Sequence, residues 1–131
     1  RSLQDYRGIA AGRGRAVFNG KAVVHVDAQQ SQARQTSRNL LLTAGAEIDT
    51  KPELEIYADD VQCSHGATTG QLDPAALFYL RSRGLTEIEA RNALTRAFTG
   101  AVVSRMDHAP FAQGVRDALD ARLAALPETR S

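Results

Sequence analysis

Glu53-Leu54-Glu55-Ile56-Tyr57-Ala58-Asp59 sets Leu54, Ile56 and Ala58 at alternate positions, with charged or amphipathic residues between them. A two-residue period is that of a strand with one buried face, so this stretch commits the first half of the chain to β structure. Upstream, Ala16-Val17-Phe18, Ala22-Val23-Val24-His25-Val26 and Leu40-Leu41-Leu42 have the same strand-like character. They are rich in the β-branched and aromatic residues that suit a pleated, half-buried surface. Glycine, asparagine and aspartate punctuate them. The stretch from Asp27 to Asn39, rich in Gln, Ser, Thr and Arg, reads as a loop or an exposed rung.

Asn19-Gly20, between Phe18 and Lys21, tolerates positive φ at both residues and would ordinarily signal a two-residue hairpin. Short strands separated by corner residues also build a parallel β-solenoid, in which no coil buries its apolar face alone. No fixed repeat length stands out. Periodicity leaves both arrangements open.

After Gly70 the period becomes helical. Asp73 is placed to cap a first helix with Pro74 at its first position, Leu72 and Leu77 form a candidate hydrophobic staple, and Arg81 and Arg83 suit its negative end. Gly84 is the expected stop. Thr86-Glu87-Ile88-Glu89 is a capping box that opens a second helix, with Ala90, Leu94, Ala97, Phe98 and Ala101 at helical spacing. A third helix is expected from about Asp107 to Leu126, with Phe111, Val115, Leu119, Leu123 and Leu126 on one stripe, ended by Pro127. The expected class is mainly β with α, strands first and helices after. Residues 1–70 form the β region and 71–131 a small helical domain.

A chain of 131 residues with 43% apolar content supports one modest core or a piece of a larger one. Sixteen basic residues against fifteen acidic ones leave a net charge of +1, so no global field draws in nucleic acid or an anionic membrane. Neither partner is expected. The single cysteine excludes an internal disulfide, and no signal-peptide core or spanning segment is evident, which makes a reducing cytoplasm the expected compartment. The chain opens on Arg1-Ser2-Leu3 rather than methionine and runs straight into strand-like sequence. A carboxy-terminal fragment is the expectation.

The chemistry concentrates in Cys63-Ser64-His65-Gly66-Ala67-Thr68. At i and i+2 on an extended chain, Cys63 and His65 face the same side and are able to share one ligand. On spacing alone, a small buried cysteine and a histidine making one hydrogen bond at the start of a turn explain the pair better, and Cys-x-His is a weak motif in isolation. Iron–sulfur clusters are held mainly by cysteine thiolates, usually four, so one thiol and one imidazole need another chain to complete the shell. A nucleophilic Cys63 activated by His65 is the enzymatic alternative, but no third group orients the ring and no oxyanion site is evident. No enzymatic role is expected.

Glu47, Asp49, Glu53, Glu55, Asp59 and Asp60 are carboxylates of a kind that iron accepts. They alternate with apolar residues as on a solvated sheet face, so no ligand role is assigned to them. His25 and His108 stand in ordinary segments and suit surface or capping roles. The glycines at 8, 12, 14 and 20 lack the ending and the context of a phosphate loop.

Several long motifs, taken in order, are familiar. Gly14-Arg15-Ala16-Val17-Phe18-Asn19-Gly20, the run Ala46 through Val61, Cys63-Ser64-His65-Gly66-Ala67-Thr68 and Leu77-Phe78-Tyr79-Leu80-Arg81-Ser82-Arg83-Gly84 together resemble the carboxy-terminal part of the SufB/SufD family of iron–sulfur cluster assembly proteins. The likeness runs from about Gly14 to the last helix. Ser64 and Gly66 stand where the SufB branch usually carries acidic residues, which makes the chain more similar to the SufD branch.

The resemblance implies the end of a right-handed parallel β-helix (solenoid) followed by a small helical domain. It implies a non-enzymatic scaffold subunit that pairs through β strands with a SufB-type paralogue and meets the SufC-type ATPase through its helices. A nascent iron–sulfur cluster, transient and shared with the partner, would form at the SufB interface. By motif the SufD-branch histidine maps onto His65 as metal ligand, with Cys63 the weaker candidate. The isolated fragment is expected to hold no cluster and to self-associate, as a homodimer for instance, through its open strands.

Overall fold

The computed structural model describes residues 1–126. Five strands, β1 (Ser2–Ala10), β2 (Arg15–Val24), β3 (Gln32–Leu41), β4 (Glu47–Ile56) and β5 (Gln62–Gly70), precede three helices, α1 (Pro74–Ser82), α2 (Glu87–Val103) and α3 (Ala109–Ala124). The fold is mixed α and β. Consecutive strands fall in different sheets: β1, β3 and β5 make one and β2 and β4 the other, all paired in parallel. Ser2 pairs with Ala33, Ala33 with Cys63 and Arg15 with Glu47, steps of 31, 30 and 32 residues.

The hairpin alternative at Asn19-Gly20 is excluded. Both residues lie inside β2, paired with Lys51 and Pro52 of β4. A Cβ on Gly20 would stand 2.6 Å from the Phe18 ring and 2.8 Å from Gln35 Nε2, so glycine is needed here for space. The same geometry makes the two sheets face each other, with Gln35 of β3 reaching toward Gly20 of β2.

The polar stretch expected as a loop or exposed rung supplies most of β3, the most enclosed strand, whose last residues, Leu40 and Leu41, fall in the expected Leu40–Leu42 strand. Gln35 and Ser37 are each 2% exposed and Asn39 6%. They remain inside because parallel stacking supplies hydrogen-bond partners along each column: Gln35 Nε2 donates to Gln4 Oε1 at 2.8 Å, and Asn39 Nδ2 donates to Thr69 Oγ1 at 3.4 Å. β1 carries the same polar character. On the facing sheet Phe18, Ala22 and Val24 line up with Thr50, Leu54 and Ile56. The Phe18 ring also meets Tyr6 of β1, centroids 4.5 Å apart.

In the opening stretch Leu54 is half-buried and Ala58 buried, as alternation requires, whereas Ile56 is exposed. Ile56 ends β4, and the chain turns away after it.

The helix starts follow the sequence closely. Asp73 accepts the amide of Ala75 at 2.9 Å, with Pro74 at the first position, and Gly84 takes φ +96° just past the end of α1. Thr86 and Glu89 form the complete capping box of α2. The third helix opens at Ala109, with His108 as its cap: the imidazole Nδ1 accepts the amide of Phe111 at 3.2 Å. Pro127 lies outside the described residues.

The predicted stripes are largely turned inward, with Leu94, Phe98, Ala101 and Leu126 half-buried, but apart from Ala90 the most buried positions are others. In α2 the buried residues are Ala90, Thr95, Thr99 and Val103, while Ala97 is exposed. Both threonines are admitted because their hydroxyls bond back to the helix, Thr95 to the Arg91 carbonyl at 2.8 Å and Thr99 to that of Arg96 at 3.1 Å. In α3 Phe111 is exposed, and Val115, Leu119 and Leu123 are half-buried.

Helix α2 leans on β1. Arg7 donates to the Phe98 carbonyl at 3.0 Å and lies 5.0 Å over the Phe98 ring, while Arg105 meets Asp5 at 2.6 Å. The Asp5 side chain, 6% exposed, also meets Arg38 at 3.6 Å and accepts from Thr36 Oγ1 at 2.9 Å. Helix α2 thus packs on β1, and α1 and α3 pack on α2.

Candidate functional site

Among the described residues, strand β5 has one hydrogen-bonding neighbour, β3, and its other edge is open. In-register pairing sets Cys63 over Ala33, His65 over Gln35, Ala67 over Ser37 and Thr69 over Asn39. These are the columns that β3 turns toward the facing sheet. Cys63 and His65 thus share a face, as their spacing predicts.

What differs between the two strands is cover. Cys63 is half-buried with a free thiol, and His65, Ala67 and Thr69 are exposed because no strand follows to close over them. A thiol sulfur and an imidazole nitrogen thereby stand on one open surface, beside an unpaired strand edge. Among the described residues no group of three or more His, Cys, Asp or Glu side chains gathers at a spacing fit for a metal ion.

The acidic residues before Cys63 belong elsewhere. Glu47, Asp49, Glu53 and Glu55 alternate with the inward residues of β4 and pair with cations: Arg15 meets Glu47 at 3.5 Å and Asp49 at 2.9 Å, Lys21 meets Glu55, and Lys51 meets Glu53 at 2.7 Å. These pairs shift the titrations in the expected sense. The Asp49 hydrogen bond raises the Arg15 pKa, the Glu55 hydrogen bond raises that of Lys21, and the Lys51 hydrogen bond holds Glu53 below the ordinary 4.5. Such a face is solvated, and each of its four carboxylates meets a cation. Asp59 and Asp60 are exposed in the turn leading to β5.

His25 is exposed after β2, and His108 caps α3. Gly8, Gly12, Gly14 and Gly20 are spread over β1, the following turn and β2, so they form no common loop. Sequence reasoning missed three residues that shape the surroundings: Gln35 beneath His65, and Asp5 and Arg7, which tie β1 to α2. The recurrence Gln4, Gln35, His65 at steps of 31 and 30 residues was the available signal for the first of these.

The open strand edge and the thiol–imidazole pair lie together on β5, and comparison with known proteins assigns the class. Residues 1–98 match the family described as SUF system FeS cluster assembly, SufBD core domain, and the chain belongs to that family.

Among its relatives, the iron–sulfur cluster assembly protein SufD of Escherichia coli K12 is 43% identical over 122 residues, 93% of this chain and 29% of that protein. A SufBD family protein of Synechocystis is 47% identical over 107 residues, 82% of this chain and 24% of the relative. The chloroplastic protein ABCI7 of Arabidopsis thaliana is 43% identical over 97 residues, 74% of this chain and 20% of the relative. The chain spans between a fifth and a third of the length of these proteins. No described helix is long and apolar enough to cross a membrane.

Proposed function

We propose that this chain is the carboxy-terminal part of a SufD-type subunit and that it helps a nascent iron–sulfur cluster form at an interface with a SufB-type paralogue. The cluster is cargo. His65 supplies a neutral imidazole nitrogen to iron, Cys63 is a secondary ligand, and a thiolate of the partner completes the coordination. The observation that carries this reading is the position of His65: exposed, beside a half-buried thiol, on a strand whose other edge has no neighbour. Family membership supports the assembly role.

In this reading the two parallel sheets are the end of a right-handed β-helix, residues 1–70, and the helices form a separate domain, residues 71–131. The β5 edge receives the partner's strand by β-augmentation, which needs backbone groups of this kind. The helical domain meets the SufC-type ATPase, and its exposed Phe78, Tyr79 and Ile88 offer apolar area for that contact. The chain catalyses nothing itself. ATP hydrolysis by the partner moves the two halves and exposes His65, in the cytoplasm or an equivalent reducing compartment. Without its partners the fragment self-associates through open strands, so light scattering should read a dimer or larger species and not a monomer.

Co-expression of the full-length protein with its SufB-type and SufC-type partners, anaerobic reconstitution and absorption spectroscopy test this. His65→Ala should assemble normally and lose most of the cluster absorbance, with a smaller loss for Cys63→Ala. Normal absorbance in both variants would leave a structural solenoid partner without a metal role.

A further inference from the structure

The column Gln4, Gln35, His65 contains an acceptor without a donor. Gln35 is 2% exposed and its Nε2 donates to Gln4 Oε1 at 2.8 Å, but its own Oε1 has no hydrogen-bond partner among the described residues. Leaving a buried amide oxygen unpaired costs about 1–3 kcal/mol, so folds keep one where a role or another group accounts for it. The amide is held in place. Gly20 leaves the space it fills, since a Cβ there would stand 2.8 Å from Nε2.

The nitrogen and oxygen of a carboxamide diverge from one carbon. With Nε2 directed to Gln4 on β1, Oε1 is left to face away from that strand, and the residue paired with Gln35 on its other side is His65. Neighbouring strands lie about 4.7–4.9 Å apart, which brings an imidazole N–H within reach of that oxygen by side-chain rotation alone. His65 is exposed and has the freedom to make that rotation.

We infer that Gln35 is a positioning residue for His65, its Oε1 accepting the N–H of one ring nitrogen and so directing the lone pair of the other to the open end of the strand stack. This rests on the reading of His65 as an iron ligand. Ligating histidines regularly donate their second N–H to such a partner, which fixes tautomer and ring orientation, and loss of the partner typically lowers metal affinity about 10–100-fold.

The test is the ring 15N spectrum of the histidine-labelled full-length protein at a pH where imidazole is neutral, with His65→Ala assigning the signal. One dominant His65 tautomer is expected in the wild type and in Gln35→Glu, which keeps an acceptor. In Gln35→Met, of similar length without the amide, the populations should revert to those of free histidine. Free-histidine populations in the wild type overturn the inference even if neither Gln35 variant folds, as do identical populations in wild type and Gln35→Met. Iron(II) titration of the complex should show about a 10–100-fold loss of affinity in Gln35→Met. The two readings fail separately: normal cluster yield in His65→Ala refutes the ligand role whatever the tautomer, whereas an unaltered tautomer with yield lost in His65→Ala refutes only the role of Gln35.

Discussion

Strands β3 and β5 occupy the same sheet, share the same columns and carry similarly small or polar residues, yet one is the best-enclosed strand and the other the most open. Ser37 is 2% exposed, and its column neighbour Ala67 is exposed. The difference is neighbours. β3 has strands on both sides and a sheet in front, so its polar side chains find partners in the stack, whereas β5 has β3 alone. Residue type therefore does not separate enclosed from open positions here. Position in the stack does, and it makes Gln35 a fixture and its neighbour His65 available.

The contrast breaks most visibly where the interior has no room. Gly20→Val sets methyls where even a Cβ would crowd Phe18 and Gln35, and should destabilise the protein by about 3 kcal/mol in urea unfolding. A paired substitution is next. Ser37→Val is expected to cost about 1–3 kcal/mol through crowding and a lost hydroxyl partner, while Ala67→Val, one strand on in the same column, should stay within about 0.5 kcal/mol. Equal effects would remove the distinction between the two strands.

Away from the sheets, Thr86→Ala removes the cap of α2 and should cost about 1 kcal/mol. The Thr86 amide, and after it the Thr86 hydroxyl, hold the Glu89 carboxyl below 4.5. The sign follows: this contribution is present above pH 4.5 and is lost as pH falls through the lowered folded value, so the acid-side loss of helical circular dichroism should weaken in Thr86→Ala. The smallest effect belongs to the outer face of β2 and β4. Arg15→Ala, exposed despite its two ion pairs, should change stability by less than about 0.5 kcal/mol and less still at high salt.

Much of this was legible in the sequence, and the exceptions have physical causes. The caps of all three helices depend on local hydrogen bonds, and Asp73, Thr86 and His108 announce them. Leu54 gave the inward side of β4 by alternation. β3 was hidden because its inward residues are Gln, Ser and Asn, and what makes them tolerable inside is a neighbour about 30 residues away, which no local window contains. Asn19-Gly20 was ambiguous for a related reason: the pair suits a hairpin locally, but the space Gly20 provides is for a side chain from the other sheet. The shared face of Cys63 and His65 followed from spacing, and their openness followed only from the topology.

The central claim is that His65 ligates iron in a cluster completed by another subunit, and nitrogen hyperfine spectroscopy tests it most directly. The reduced cluster, formed on the complex with 15N-histidine in this subunit alone, should show a strongly coupled 15N that disappears in His65→Ala. A cluster formed in normal yield with no histidine coupling from this subunit would contradict the account.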